Sequence, residues 1–219
     1  MSLRAKAIRE YSRIEHRADA AIHVLGVLFA INASLWLLAN VLSNVEGLDV
    51  VASVTVYCVG LLAMTGFSAA YNMMPHHRPS KQMLRRFDHA AIFIMIAATY
   101  TPLAVNRLGV DTGHLILTTI WLTAMAGVTM KLLFPGRFER ISIGVYIVMG
   151  WLIVTVLGPL AARMAAVDFW LLIAGGVVYS AGVIFYLLEG IPFHKAIWHG
   201  FVLAAAALQF SAIAAEFAH

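Results

Sequence analysis

The sequence predicts an all-α, polytopic membrane protein: a bundle of seven transmembrane helices with a cytoplasmic amino terminus. Three observations predict it: the composition, seven apolar stretches of spanning length, and the placement of Lys and Arg between them. The 219-residue chain is 62% hydrophobic and 12% charged, with a mean hydropathy of +0.85. A soluble domain carries about 25% charged residues. Half that value leaves too little polar surface to cover a water-soluble globule, so the bilayer must solvate part of the chain. No polar linker divides the sequence, and residues 1–219 read as one domain.

Spanning the hydrocarbon core takes about 20 apolar residues. The stretches that meet this are 20–43, 50–73, 88–106, 113–133, 142–160, 167–188 and 196–216. Basic residues Arg4, Lys6, Arg9, Arg13 and Arg17 precede the first, and no short apolar segment with a cleavage site stands before it, so no cleavable signal is expected. The second contains Cys58; one cysteine makes neither an internal disulfide nor a thiolate metal cluster and reads as a small buried hydrophobe. PHHRPSK leads into the third. FPGRFER, with Pro135 and Gly136, separates the fourth from the fifth. EGIPFHK, with Gly190 and Pro192, separates the sixth from the seventh. Pro102 and Pro159 fall within or at the end of spans, where neighbours must satisfy the freed carbonyls.

With the amino terminus inside, 13 Lys and Arg fall on the cytoplasmic side and only Arg107 and Arg163 outside. The positive-inside rule therefore favours seven spans with the carboxyl terminus outside. The net charge of +4 lies in these short loops, so nucleic acid is not an expected partner. His76, His77, His114, His194 and His219 fall in loops or at the terminus and read as solvated.

Ionisable groups inside a membrane cost about 2.5–3.5 kcal/mol or more each at the helix centre. Those of this chain gather at one depth. Glu15, Asp19 and His23 stand four apart along one face of the first helix. Ser68 and Asn72 share a face of the second. Asp88 and His89 open the third, and Lys195 and His199 stand four apart at the start of the seventh. Snorkelling, the helix dipole and capping each offer a plainer account of single members, above all Glu15, Asp19, Asp88 and Lys195. Together, on four helices, they predict one polar pocket open to the cytoplasm.

The residues in and around that pocket carry a family likeness. SAAYNMMPHHRPSKQMLRRFDHAAIFIMIAATYTP, IPFHKAIWHGFVL and EHRADAAIH resemble the motifs of the haemolysin III family, the bacterial branch of the progestin and adipoQ receptor (PAQR) family. The resemblance covers nearly the whole chain. It implies seven helices and a zinc ion near the cytoplasmic side. The implied ligands are three histidines, one four residues after a Ser on the second helix and two spaced four apart on the seventh, accompanied by an Asp opening the third. Ser68, Asp88 and His199 match. The second-helix ligand position is Asn72, and the first seventh-helix position is Lys195. His194 lies one residue early, about 100° around the helix. The usual amino-terminal Asn is Asp19, and a His deeper in the last helix is Gln209. An amide ligates zinc poorly and an ammonium repels it, so tight zinc binding at that site is expected to be lost. Lys195 is expected to replace the metal's charge by pairing with Asp88 or Asp19.

The expected function is that of a haemolysin III-like membrane protein with a receptor-like or membrane-homeostasis role and a degenerate zinc-hydrolase pocket. Its partners would be membrane lipids and a lipid-like ligand or substrate. One alternative is a ceramidase-like lipid amide hydrolase, with Asp88 or His199 as general base and Lys195 as electrostatic stabiliser. Another is a cytolytic, pore-forming or ion-translocating protein.

Overall fold

A computed structural model describes residues 11–44, 47–75, 77–188 and 190–217. Of the residues considered above, Arg4, Lys6, Arg9, His76 and His219 lie outside them. Among the described residues seven helices are long and apolar enough to cross a membrane. They are Arg13–Asn44, Leu48–Met73, Ser80–Arg107, Val110–Leu133, Glu139–Ala161, Ala166–Leu187 and His194–Ala215, called here the first to seventh spans.

The first and third helices start at residues 13 and 80, earlier than the apolar stretches at 20 and 88. Hydropathy marks only the part of a helix that meets hydrocarbon. Beyond it the helix continues wherever its backbone groups are satisfied. At the first span a reciprocal cap does this: Ser12 N–H donates to Glu15 Oε2 at 2.8 Å, and Glu15 N–H donates to Ser12 Oγ at 3.2 Å. The other oxygen of Glu15 accepts the Phe193 N–H at 2.8 Å. Phe193 has a left-handed backbone (φ 59°), a conformation costly for an aromatic residue. Glu15 thus ties the start of the first span to the start of the seventh.

Neighbouring helices pack in sequence from the first to the fourth span. The sixth packs on the seventh, and the first on the seventh closes the ring. The third span is the axis. Two thirds of its apolar stretch (67%) is buried inside the protein, against 39% or less for the others. Small residues bring its neighbours close. A Cβ at Gly127 would lie 2.4 Å from the Phe93 ring, and one at Gly60 would lie 2.6 Å from the Ala98 Cβ. Cys58 is buried, as expected.

The fifth span is broken. An α-helix over Glu139–Trp151 gives way to a 3-10 stretch, Leu152–Val156, and resumes over Leu157–Ala161. Pro159 has no N–H to offer and its ring crowds the carbonyl one turn earlier. The third span repairs the break. Tyr100 OH accepts the Ile153 N–H at 2.7 Å and lies 2.9 Å from the carbonyl oxygens of Met149 and Gly150, to which it donates. Inside a bilayer no water is at hand to serve these groups. Tyr100→Phe should therefore cost about 1–3 kcal/mol, seen as a lower thermal midpoint in detergent. Tyr57→Phe is the control. Among the described residues its buried hydroxyl has no hydrogen-bond partner, so its loss should be neutral or stabilising.

Candidate functional site

The spans enclose a cavity of about 390 Å³. Its mouth lies at the end of the bundle where the first, third, fifth and seventh spans begin. It runs along the seventh span from Lys195 to Gln209, about 21 Å at 1.5 Å per residue. The mouth is polar, with Ser68, Asn72, Asp88, His89, Lys195 and His199 on its wall. The deeper lining is largely apolar, with residues such as Ile96, Val183, Leu203 and Ala206.

Helical spacing explains the mouth. Asp19 and His23, one turn apart, both turn inward from the first span and are buried. His199 meets them from the seventh. Its Nδ1 lies 2.6 Å from Asp19 Oδ1, and the His23 ring packs 4.3 Å from the His199 ring. His23 Nε2 lies 3.7 Å from Asp19 Oδ2, too far for a hydrogen bond. On the second span Asn72 donates its amide to the Ser68 carbonyl at 3.0 Å and to Ser68 Oγ at 3.4 Å. Asp88 faces these groups from the third span, beside Ser68 and His199.

A second polar cluster joins the third, fourth and fifth spans at the same end. Glu139 is its hub. One carboxylate oxygen meets Lys131 Nζ at 3.1 Å and His89 Nδ1 at 3.3 Å, and the other meets Arg85 at 3.2 Å. Lys131 is almost wholly buried, with its side chain 2% exposed. A buried ammonium needs a counter-charge, and Glu139 supplies it from the next helix.

Of the nine residues the sequence singled out, seven line the main cavity: His23, Ser68, Asn72, Asp88, His89, Lys195 and His199. Asp19 lies behind its wall, beside a small adjoining cavity of about 30 Å³ that Glu15 also lines. Glu15 serves the helix starts rather than the mouth. Lys195 makes no ion pair with Asp88 or Asp19. Its ammonium sits over the Tyr11 ring, 4.5 Å from the centroid, a cation–π contact. His194 is buried rather than solvated, with Nε2 2.6 Å from Tyr11 OH. Tyr11 and Glu139 escaped the sequence reading because both lie outside the apolar stretches. The only signal was their nearness to span starts.

Comparison with known proteins decides the family. The family model described as "Haemolysin-III related" matches residues 11–210. The chain belongs to the haemolysin III family. It is 38% identical over 196 residues to the "Hemolysin-3 homolog" of Bacillus subtilis (strain 168), covering 90% of this chain and 91% of that one. It is also 38% identical to the "Hemolysin-3" of Bacillus cereus over 90% and 89% of the two chains. The human "Monocyte to macrophage differentiation factor" is 30% identical over 91% of this chain and 83% of its own length. No solved structure matches.

The metal position implied by the haemolysin III resemblance falls at Asn72, Lys195 and His199, and these donors do not fit a zinc ion. The Asn72 amide nitrogen is turned to Ser68, and Lys195 offers an ammonium held on Tyr11. His194 cannot stand in, because it faces Tyr11 instead.

The Glu139 hub carries its own prediction. Glu139→Gln leaves Lys131 buried beside a neutral amide and should cost about 3 kcal/mol. The paired change Lys131→Met, Glu139→Leu should recover most of the loss. Thermal unfolding in detergent checks both.

Proposed function

We propose that this haemolysin III protein binds a single-chain amphiphile within the membrane, headgroup at the cytoplasmic mouth and acyl chain in the apolar depth, in a receptor-like or membrane-homeostasis role. The cavity carries this reading: it is polar at one end, apolar along the rest, and about 390 Å³ in volume, within the range of small-molecule sites. Its length of about 21 Å exceeds half of the roughly 30 Å hydrocarbon core, the depth one acyl chain covers. The apolar depth suits an acyl chain better than an ion, which ranks a cytolytic or ion-translocating role lower.

Binding should strengthen with chain length, by about 0.8 kcal/mol or less per methylene. Gly176 lines the deep cavity, and a Cβ there would meet only Trp151, at 4.0 Å. Gly176→Leu should fill that end without disturbing the packing. In nanodiscs the variant should bind hexadecanoic acid at least about tenfold more weakly and octanoic acid nearly as before. An unchanged hexadecanoic acid affinity would count against this reading.

Hydrolysis of an amide in the bound amphiphile is a second reading, favoured by the 2.6 Å contact that orients His199 against Asp19. A carboxylate-oriented imidazole is the usual arrangement of a general base. Fatty acid released from a ceramide-like amide, and lost in His199→Gln, would support it.

The orientation belongs to the same proposal. The described basic residues of the loops and helix starts, such as Arg78, Arg137 and Lys195, sit at the mouth end, while Arg107 and Arg163 sit at the other. In a bacterial inner membrane the mouth then faces the cytoplasm. Arg163→Cys should react with an impermeant maleimide on spheroplasts with an intact inner membrane, and Arg78→Cys only after permeabilisation. The native Cys58 is buried and should stay silent.

A further inference from the structure

We infer that Asp19, His23 and His199 form a binding site for a divalent transition metal, zinc being the ion this donor set suits best. It draws two donors from the first span and one from the seventh. The position implied by the family resemblance draws instead on the second and seventh spans, so the two share only His199.

Geometry is the first argument. One donor atom from each residue lies within 4.8 Å of the others. Zinc bonds of about 2.0–2.2 Å to nitrogen and oxygen put adjacent donors about 3–3.5 Å apart. The Asp19–His199 contact of 2.6 Å must open slightly, and the His23 ring must swing inward by about 1 Å. Both are side-chain adjustments within one turn of helix. The metal replaces the proton now held between His199 Nδ1 and Asp19 Oδ1.

The second argument is an unsatisfied donor. His23 Nε2 is buried, turned toward Asp19, and has no hydrogen-bond partner among the described residues. A buried ring nitrogen without a partner is costly, and a metal bond satisfies it. Charge is the third. Two neutral imidazoles and one carboxylate leave a dication with one net positive charge, and Asp88 faces the same mouth. The Lys195 ammonium rests on the Tyr11 ring, yet it is near enough to act on Asp19 electrostatically, so the two carboxylates offset this charge as well as the metal's. His23 and His199 both line the cavity, so an open coordination position would face whatever occupies the mouth.

The inference stands apart from amphiphile binding. It competes with the metal-free use of His199 as a base, because an imidazole nitrogen bound to metal takes no proton. The test uses the full chain in detergent, stripped with chelator and titrated with Zn²⁺ or Co²⁺. About one ion per chain is expected, with visible bands of low-coordinate Co²⁺. X-ray absorption of the zinc-loaded wild type should show two imidazoles per metal. Asp19→Ala, His23→Ala and His199→Ala should each weaken binding more than about 100-fold, the upper end of what second-shell losses reach. Asn72→Gln should keep the site. Three results would overturn it: no retained metal, a surplus of loosely held ions, or one tight ion that survives His23→Ala. If a variant fails to fold, the imidazole count of the wild type decides alone, and any number other than two rejects the site.

Discussion

A polar group inside a bilayer finds no water, so each must find its partner within the protein. The architecture of this chain follows from that constraint. Where the fifth span loses its regular hydrogen bonds before Pro159, a tyrosine hydroxyl from the third span takes their place. Where Lys131 is buried, a carboxylate on the following helix meets it. Where the seventh span begins on a left-handed phenylalanine, Glu15 receives its N–H. Each repair crosses from one helix to another, so these polar contacts also set the register of the bundle.

The same constraint concentrates chemistry at one end. The deep half of the bundle is sealed by apolar and small residues around the third span. The mouth is not sealed, because Asp19, His23, Asp88 and His199 crowd together there. Some of these groups satisfy one another, as Asp19 and His199 do. His23 Nε2 finds no such partner among the described residues. The chain keeps the family's overall form while altering the positions where a metal would be expected. Asn72 and Lys195 have taken up local partners, an adjacent serine and an aromatic ring, and no longer act as donors to a shared centre.

Much of this was legible in the sequence. Helices in lipid must be long and apolar, so their number and approximate extent can be read directly. The inward faces of the first, second and seventh spans were legible from four-residue spacing, and that of the third from Asp88 and His89 at its start. Seven of the nine residues chosen that way line one cavity. Helix starts were less legible, because polar first turns lie outside the apolar stretches that mark a span. Glu139, Tyr11 and the burial of His194 were missed for that reason.

By itself the sequence determined the spans, the alternation of basic and non-basic ends, and the set of polar side chains brought to one end. These are properties of single helices or of their order along the chain. Only the tertiary structure decided which polar groups meet. The partners of Lys195, Lys131 and Asp19 lie 184, 8 and 180 residues away along the chain. Such pairings depend on how helices rotate and tilt against one another. Close packing of small residues around the third span sets that rotation, and no periodicity in a single helix records it.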